Sequence, residues 1–343
     1  MFGRMMNNYY YGKSGKGDFR KEDLPHNRKE LFRDTLKTRL SGLCRINLLY
    51  MLIFLPAMLV MLLSYTSLLS ATNNAILINE NDYAGYVEKL SEIEQEPALT
   101  EADFDKLKST EGWLGEMLKS TFLRMLIWLV PCIAITGPFT AGLSYVVRNW
   151  ARDEHAFIWT DFKDAMKANW KQALILSVIT SILPLAAYVG WEFYGQMAQN
   201  SVIMMVPQVL VVLVAIIWAL SITYMHPLAV TYELKMKDLI RNGLLLGVAR
   251  LPMSVAIRLL HCVPAVICGL LMYFWNPWYG AMILFAYYAL IGFSLSRFVT
   301  ASYTNAVFDR FINPKIDGAK VNQGLHLDED DTEDDTEEGK TEI

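Results

Sequence analysis

The stretch Gly137-Pro-Phe-Thr-Ala-Gly-Leu-Ser-Tyr-Val-Val-Arg-Asn-Trp-Ala-Arg152 ends an apolar run that covers 122–147 and opens a polar, aromatic-rich connector. A helix rises about 1.5 Å per residue, so roughly 20 apolar residues cross the hydrocarbon core of a bilayer. The run is long enough to do so, and Gly137-Pro138 punctuates its exit. Working outward, five further runs of similar length lie at 46–70, 172–191, 202–225, 252–274 and 279–300. None alternates as a barrel strand would. The chain is 53% hydrophobic and 19% charged, with mean hydropathy +0.24, and the apolar residues are gathered into these runs. The expected fold is all-α: a polytopic membrane protein with six transmembrane helices.

Charge sets the orientation. Residues 1–45 carry eleven Lys/Arg against five acids, whereas 71–120 carries eleven acids against four lysines. Loops retained in the cytoplasm collect Lys/Arg, which places 1–45 inside and 71–120 outside as an acidic cap. The alternation continues: five basic residues in 148–171, none in 192–201, five in 233–258 and none in 275–280. Both termini are expected in the cytoplasm of a multi-pass plasma membrane protein. Leu31, Leu36, Leu40 and Leu43 recur at helical spacing among basic residues, which describes either an amphipathic helix on the membrane surface or a juxtamembrane helix continuous with the first span. The organisation is then 1–45 a basic amino segment, 46–312 the membrane domain, and 313–343 an acidic tail expected to be disordered because it cannot bury apolar area. Met1 to Gly17 is expected to be poorly ordered as well. In the cap, Tyr83 to Ile93 reads as one short helix, and Thr100 as the N-cap of another with Asp103 at the capping-box position.

The opening stretch has fainter counterparts at His226-Pro227 to Tyr232 and at Ala301 to Phe308. Pro56, Pro184 and Pro264 also sit at matched places in the first, third and fifth spans, each after a polar helical segment. The pattern suggests three parallel helical-hairpin repeats with amphipathic cytoplasmic surface helices, at about 30–150, 159–233 and 237–312. Proline frees a backbone carbonyl inside a span, which neighbouring helices must satisfy, so matched prolines point to a shared packed centre.

Two sets of residues stand out as candidate sites. Arg258, His261 and Arg297 are ionisable residues inside spans, where a charge is costly and persists mainly where it is useful. Snorkelling to the inner surface is the plainer reading for the arginines. The second set is a candidate partner surface: Gly137, Pro138, Tyr145, Arg148, Trp150, Arg152, Phe157, Trp159 and Phe162. Its aromatic residues equally suit a belt at headgroup level. Gly137, Ala141 and Gly142 form a small-residue face of the kind that packs helices closely, within one chain or in a homo-oligomer. No phosphate loop, HExxH, GxSxG or dinucleotide fingerprint occurs, and Cys44, Cys132, Cys262 and Cys268 make no CxxC pair. Neither an enzyme, a cofactor, a metal nor a nucleic-acid partner is expected, and the lipid bilayer is the one partner the composition demands.

The motif Thr136-Gly-Pro-Phe-Thr-Ala-Gly-Leu-Ser-Tyr145, followed by Arg148-Asn-Trp-Ala-Arg152, Asp161-Phe-Lys163 and Asn169-Trp-Lys-Gln-Ala173, resembles the YesL family of bacterial integral membrane proteins. The resemblance is most specific across about 130–175. It implies a Firmicutes-type plasma membrane protein, of a kind often encoded beside carbohydrate ABC-transporter components and sensor kinases. It supplies no catalytic residues. The basic amino extension, the outer loop and the acidic tail look like additions to the family pattern. Three expectations follow: an accessory membrane subunit that meets an ABC-type permease or a sensor kinase, a solute transporter or channel near Arg258, His261 and Arg297, or a self-associating scaffold.

Overall fold

A computed structural model describes residues 24–97 and 99–326. The segments 1–23 and 327–343, on which the expectations of a poorly ordered amino end and of the acidic run Asp328–Glu338 fall, lie outside the described residues. Eleven α-helices make up the described chain: α1 Arg28–Glu80, α2 Tyr83–Glu92, α3 Glu101–Ser109, α4 Trp113–Ala134, α5 Gly137–Trp150, α6 Thr160–Ala198, α7 Met205–Thr231, α8 Met236–Ala249, α9 Leu251–Phe274, α10 Pro277–Tyr287 and α11 Phe293–Phe311. A π-helical turn, Tyr288–Gly292, joins α10 to α11. No strand occurs among the described residues. Six helical stretches are long and apolar enough to cross a membrane: Arg28–Glu80, Trp113–Ala134, Thr160–Ala198, Val202–Thr231, Leu251–Phe274 and Pro277–Lys315.

The first helix runs unbroken for 53 residues, about 80 Å at 1.5 Å per residue, far more than a bilayer's hydrocarbon core. It therefore extends beyond a hydrocarbon core of that thickness and reaches both the cap and the opposite end of the bundle. Asn27 caps its start by accepting from the Lys29 and Glu30 backbone amides at 3.1 and 3.0 Å. The segment holding Leu31 to Leu43 is continuous with the span, so of the two sequence readings the juxtamembrane one describes α1. The polar segment 161–169 is likewise the first part of α6. Only the third such segment stands apart: α8 is separated from α9 at Arg250, where φ −110° and ψ 34° leave the helical region and Pro252 starts the next helix.

Residues of the acidic loop build a cap at one end. Asp82 caps α2, and Thr100 caps α3 by accepting from the Asp103 amide, as the capping spacing predicts. Ile78, Tyr86, Leu90 and Phe104 form a small core beneath, with Trp113 at its edge.

At the opposite end the two ends of the described chain meet. Residues 313–326, assigned from sequence to the disordered tail, instead fold back over the bundle. The His326 amide donates to the Pro25 carbonyl, and Arg152 Nη2 donates to the Lys320 carbonyl at 3.2 Å. Gly324 lies so close to the Arg152 carbonyl that a Cβ would sit 2.7 Å from it, and its φ of +85° also favours glycine. These backbone ties act where composition alone predicts no structure.

The core sits at this same end. One cluster joins α1, α5, α6 and α11 through Leu43, Tyr50, Leu143, Val147, Trp150 and Phe298; a second joins α6, α7, α8 and α11 through Leu176, Tyr224, Met225, Leu239 and Phe308. Towards the cap the helix faces are largely exposed apolar surface, as expected of residues facing lipid.

Candidate functional site

The opening stretch, 220–230 and 294–309 converge at the end that carries the termini, and each is mostly buried. They are helical apart from Ala151 and Arg152, which form the turn after α5. Gly137-Pro138 starts α5 after a two-residue turn, Pro227 lies inside α7, and α11 follows the π turn. The three segments pack on one another as the centre of the molecule.

Small residues explain how closely they approach. A Cβ on Gly137 would run into the Ala173 carbonyl and stand 2.8 Å from Ser177 Oγ, and one on Gly142 would be 2.6 Å from the Phe162 carbonyl. Ala141 packs with Ala173 and Val230. The Gly137, Ala141 and Gly142 face is thus filled by α6 and α7 of the same chain, which leaves none of it for a second copy.

Polar side chains within the centre pair with one another. Tyr50 and Thr140 share a hydrogen bond of 2.8 Å, and Tyr224 Oη lies 2.9 Å from Ser254 Oγ and 3.0 Å from Tyr303 Oη. Asn47, fully buried on α1, serves the π turn. Its amide nitrogen donates to the Tyr288 and Ala289 carbonyls, both at 2.8 Å, and its carbonyl oxygen accepts from the Ser294 amide at 3.0 Å. A π turn interrupts the regular ladder, and Asn47 supplies partners the helix itself lacks. No sequence pattern marks Asn47, because one amide in an apolar run has nothing to distinguish it.

A polar layer closes the termini end. Arg28 pairs with Asp309 at 2.5 Å and donates to Asn322 Oδ1 at 2.7 Å. Asp309 also accepts from Asn313, and Tyr232 Oη donates to Asn313 Oδ1 at 2.6 Å. Burial, and then the Asp309 charge, raise the Tyr232 phenol to about 12, so it stays a donor at any physiological pH. Arg148 lies beside Arg152, and burial first, then that neighbouring charge, lowers its guanidinium.

This layer disperses the candidate partner surface. Trp150 (2% exposed) and Arg152 (5%) are interior, as are Gly137 and Phe162, while Pro138, Tyr145 and Arg148 are half-buried. Trp150 slots against Gly42 of α1 and donates from Nε1 to the Ala156 carbonyl at 3.3 Å. Burial removes Gly137, Trp150, Arg152 and Phe162 from any docking face. Phe157 (64% exposed) and Trp159 (62%) do project outward, with Trp170 nearby in sequence also exposed and Lys171 over its ring.

The other set comes together. Arg258 and His261 lie one turn apart on α9, and Arg297 lies one turn before Thr300 on α11. His261 Nε2 is 3.5 Å from Thr300 Oγ1. His226 of α7, which belongs to a helix exit in the sequence, is buried with its Nδ1 unpartnered.

Residues 120–191 match the family described as "Protein of unknown function, DUF624". The YesL family is DUF624, and the match covers most of α4, all of α5 and most of α6, including the motif that carries the resemblance. No curated protein and no solved structure matches the chain.

Proposed function

We propose that the protein is a non-enzymatic accessory or regulatory component of a bacterial plasma membrane, with both termini cytoplasmic, that associates with carbohydrate uptake or its signalling machinery. The observation that carries this reading is the packed centre. The three inward segments meet side chain to side chain, and a cavity of about 480 Å³ between α1, α9 and α10 is an apolar lateral groove lined by Phe54, Met58, Tyr65, Met272, Leu284 and Phe293. A groove of that kind suits an acyl chain better than a hydrated solute. The class of machinery comes from the resemblance, and Phe157 and Trp159 are the aromatic residues left to meet a permease or sensor kinase.

The same reading includes three parallel hairpins. The convergence of the three second helices supports it, as do Pro56, Pro184 and Pro264 inside the first helix of each pair. The break at Arg250 and the π turn set the third unit apart. Purification of tagged protein in mild detergent, followed by mass spectrometry, tests the function. Co-purified permease or kinase subunits that are lost in the Phe157→Ala, Trp159→Ala double variant are expected; recovery of the protein alone, where known permease complexes survive, overturns it.

A solute conduit is the second reading, favoured by the arginine–histidine group within the spans. Flux through reconstituted vesicles that falls in Arg258→Ala and His261→Ala variants of unchanged thermal stability would establish it in place of the first.

A further inference from the structure

The first turns of α1 carry a basic stripe that the bundle does not cover. Lys29, Arg33 and Lys37 recur every four residues, which sets them one above another on one helix face, and all three are exposed. None of them takes part in an ion pair among the described residues. Arg28, by contrast, is held by Asp309 and Asn322. Two acids, Glu30 and Asp34, stand beside the stripe, and neither forms an ion pair with it among the described residues. Glu30 accepts from the His26 amide at 3.0 Å instead. Like charges one turn apart repel, so this face favours an acidic partner.

The apolar side of the same turns is already taken. Leu31, Thr35 and Leu43 are buried, and Phe32 stacks on Phe298 of α11 at 5.2 Å. A helix lying on an anionic bilayer needs that side free to enter the lipid, and here the bundle occupies it. The chain itself supplies the complementary charge, and supplies it nearby. The His326 amide donates to the Pro25 carbonyl at 3.0 Å, so the described chain ends beside a residue only four positions before Lys29. Residues 328–338, which follow, hold nine acids in eleven positions and no Lys or Arg. Lys29 and Lys37 stand about 12 Å apart along the helix, at 1.5 Å per residue. The twelve residues 327–338 reach up to about 40 Å, ample to cover the stripe.

We propose that the exposed face of α1 at Lys29, Arg33 and Lys37 is a docking surface for an acidic peptide, and that its occupant is this chain's own segment 328–338. A single exposed ion pair is weak and is screened by salt, so the contact depends on many charges acting together. The tie at Pro25 strengthens it, because a tethered segment binds at a high effective concentration. Once seated, the segment closes the stripe to other anionic partners. The contact lies within one chain and stands apart from the accessory reading, so a failed partner purification leaves it intact.

The full chain in mild detergent at low salt is treated with a carbodiimide, which joins an amine to a carboxylate only where the two touch, and the links are mapped by mass spectrometry. Amide links from Lys29 and Lys37 to carboxylates of 328–338 are expected, and they should vanish in about 1 M salt, where screening acts within a few ångströms. Tail links confined to other lysines, or no tail links, overturn the proposal. Links that join isotopically distinct chains in a mixed sample would give the stripe to a second copy and overturn it too. In nanodiscs containing phosphatidylglycerol the links are expected to persist; their loss would assign the stripe to anionic lipid instead. A spin label at Thr336→Cys, with the four native cysteines replaced by alanine, gives a second readout. Its motion is expected to be slow in the parent and fast in K29Q/R33Q/K37Q. The triple variant K163Q/K167Q/K171Q removes as much charge at the same spacing from exposed positions of α6, and is expected to leave the motion slow. Equal loosening in both triple variants, or none in the first, overturns the proposal.

Discussion

Single residues hold this bundle together at points where a helix would otherwise leave backbone groups unmet. Asn47 is the clearest case, since one amide answers two carbonyls and one N–H of the α10–α11 junction. In Asn47→Ala the three groups lose their partner inside an apolar environment, and each unmet buried group costs about 1–3 kcal/mol. Thermal unfolding in detergent is expected to show one of the largest losses of any single side chain; an unchanged midpoint would mean that the π turn satisfies itself. Gly137 acts through what it lacks. Gly137→Ala pushes a methyl into the Ala173 carbonyl and is expected to cost about 1–3 kcal/mol as an overpacked contact. Gly269→Ala is its control: nothing lies within 4 Å of the added carbon, so the helix-favouring methyl is expected to be neutral or to stabilise by up to about 1 kcal/mol. The sequence marks Gly137 by the proline beside it, but nothing marks Asn47. Arg152 and Trp150 show the converse failure. Arginine and tryptophan at a membrane exit read as an outward face, and their burial follows from the Lys320 carbonyl and Gly42, which are distant in sequence.

Among the elements, α1 spans the whole height of the molecule, and its first turns lean on α11 through Phe32 stacked on Phe298 at 5.2 Å and through Arg28 on Asp309. Continuity makes that contact dependent on the helix between. Thr38 is exposed and mid-helix, so Thr38→Pro removes no side-chain packing but deletes a backbone bond and clashes one turn back, about 3 kcal/mol in a helix interior. Its unfolding midpoint should drop at least as far as that of Arg28→Gln, because the break unseats Phe32 as well. A neutral Thr38→Pro would show that 28–45 is a separate surface helix after all. The spans themselves were legible because a bilayer imposes a local rule: twenty apolar residues in a row need no information from elsewhere. The continuity of α1 was not, since an amphipathic stretch before a span has the same residue pattern whether it lies flat or runs straight on. The cap helices were legible from Thr100 and Asp103, whose hydrogen bonds span three residues.

At the scale of the molecule, the two ends of the bundle differ in how they are built. One carries the acidic cap with its own small core; the other carries both described chain ends, tied by Arg28–Asp309 and by the His326 amide on Pro25. This geometry places the two ends of the described chain on one side of the membrane, and the proposal that this side is the cytoplasm rests on the distribution of lysine and arginine. Membrane-impermeant maleimide labelling of intact cells tests the assignment after Cys44, Cys132, Cys262 and Cys268 are replaced by alanine. Glu94→Cys, at an exposed turn of the cap, is expected to label without permeabilisation. Asp317→Cys, exposed in the segment folded over the other end, is expected to label only once the membrane is opened. The reverse pattern would invert the protein, moving Phe157 and Trp159 away from any cytoplasmic partner. Labelling of both in intact cells would contradict the placement of cap and described chain ends on opposite sides, because a bundle whose cap and chain ends face the same compartment cannot contain α1 as one helix about 80 Å long.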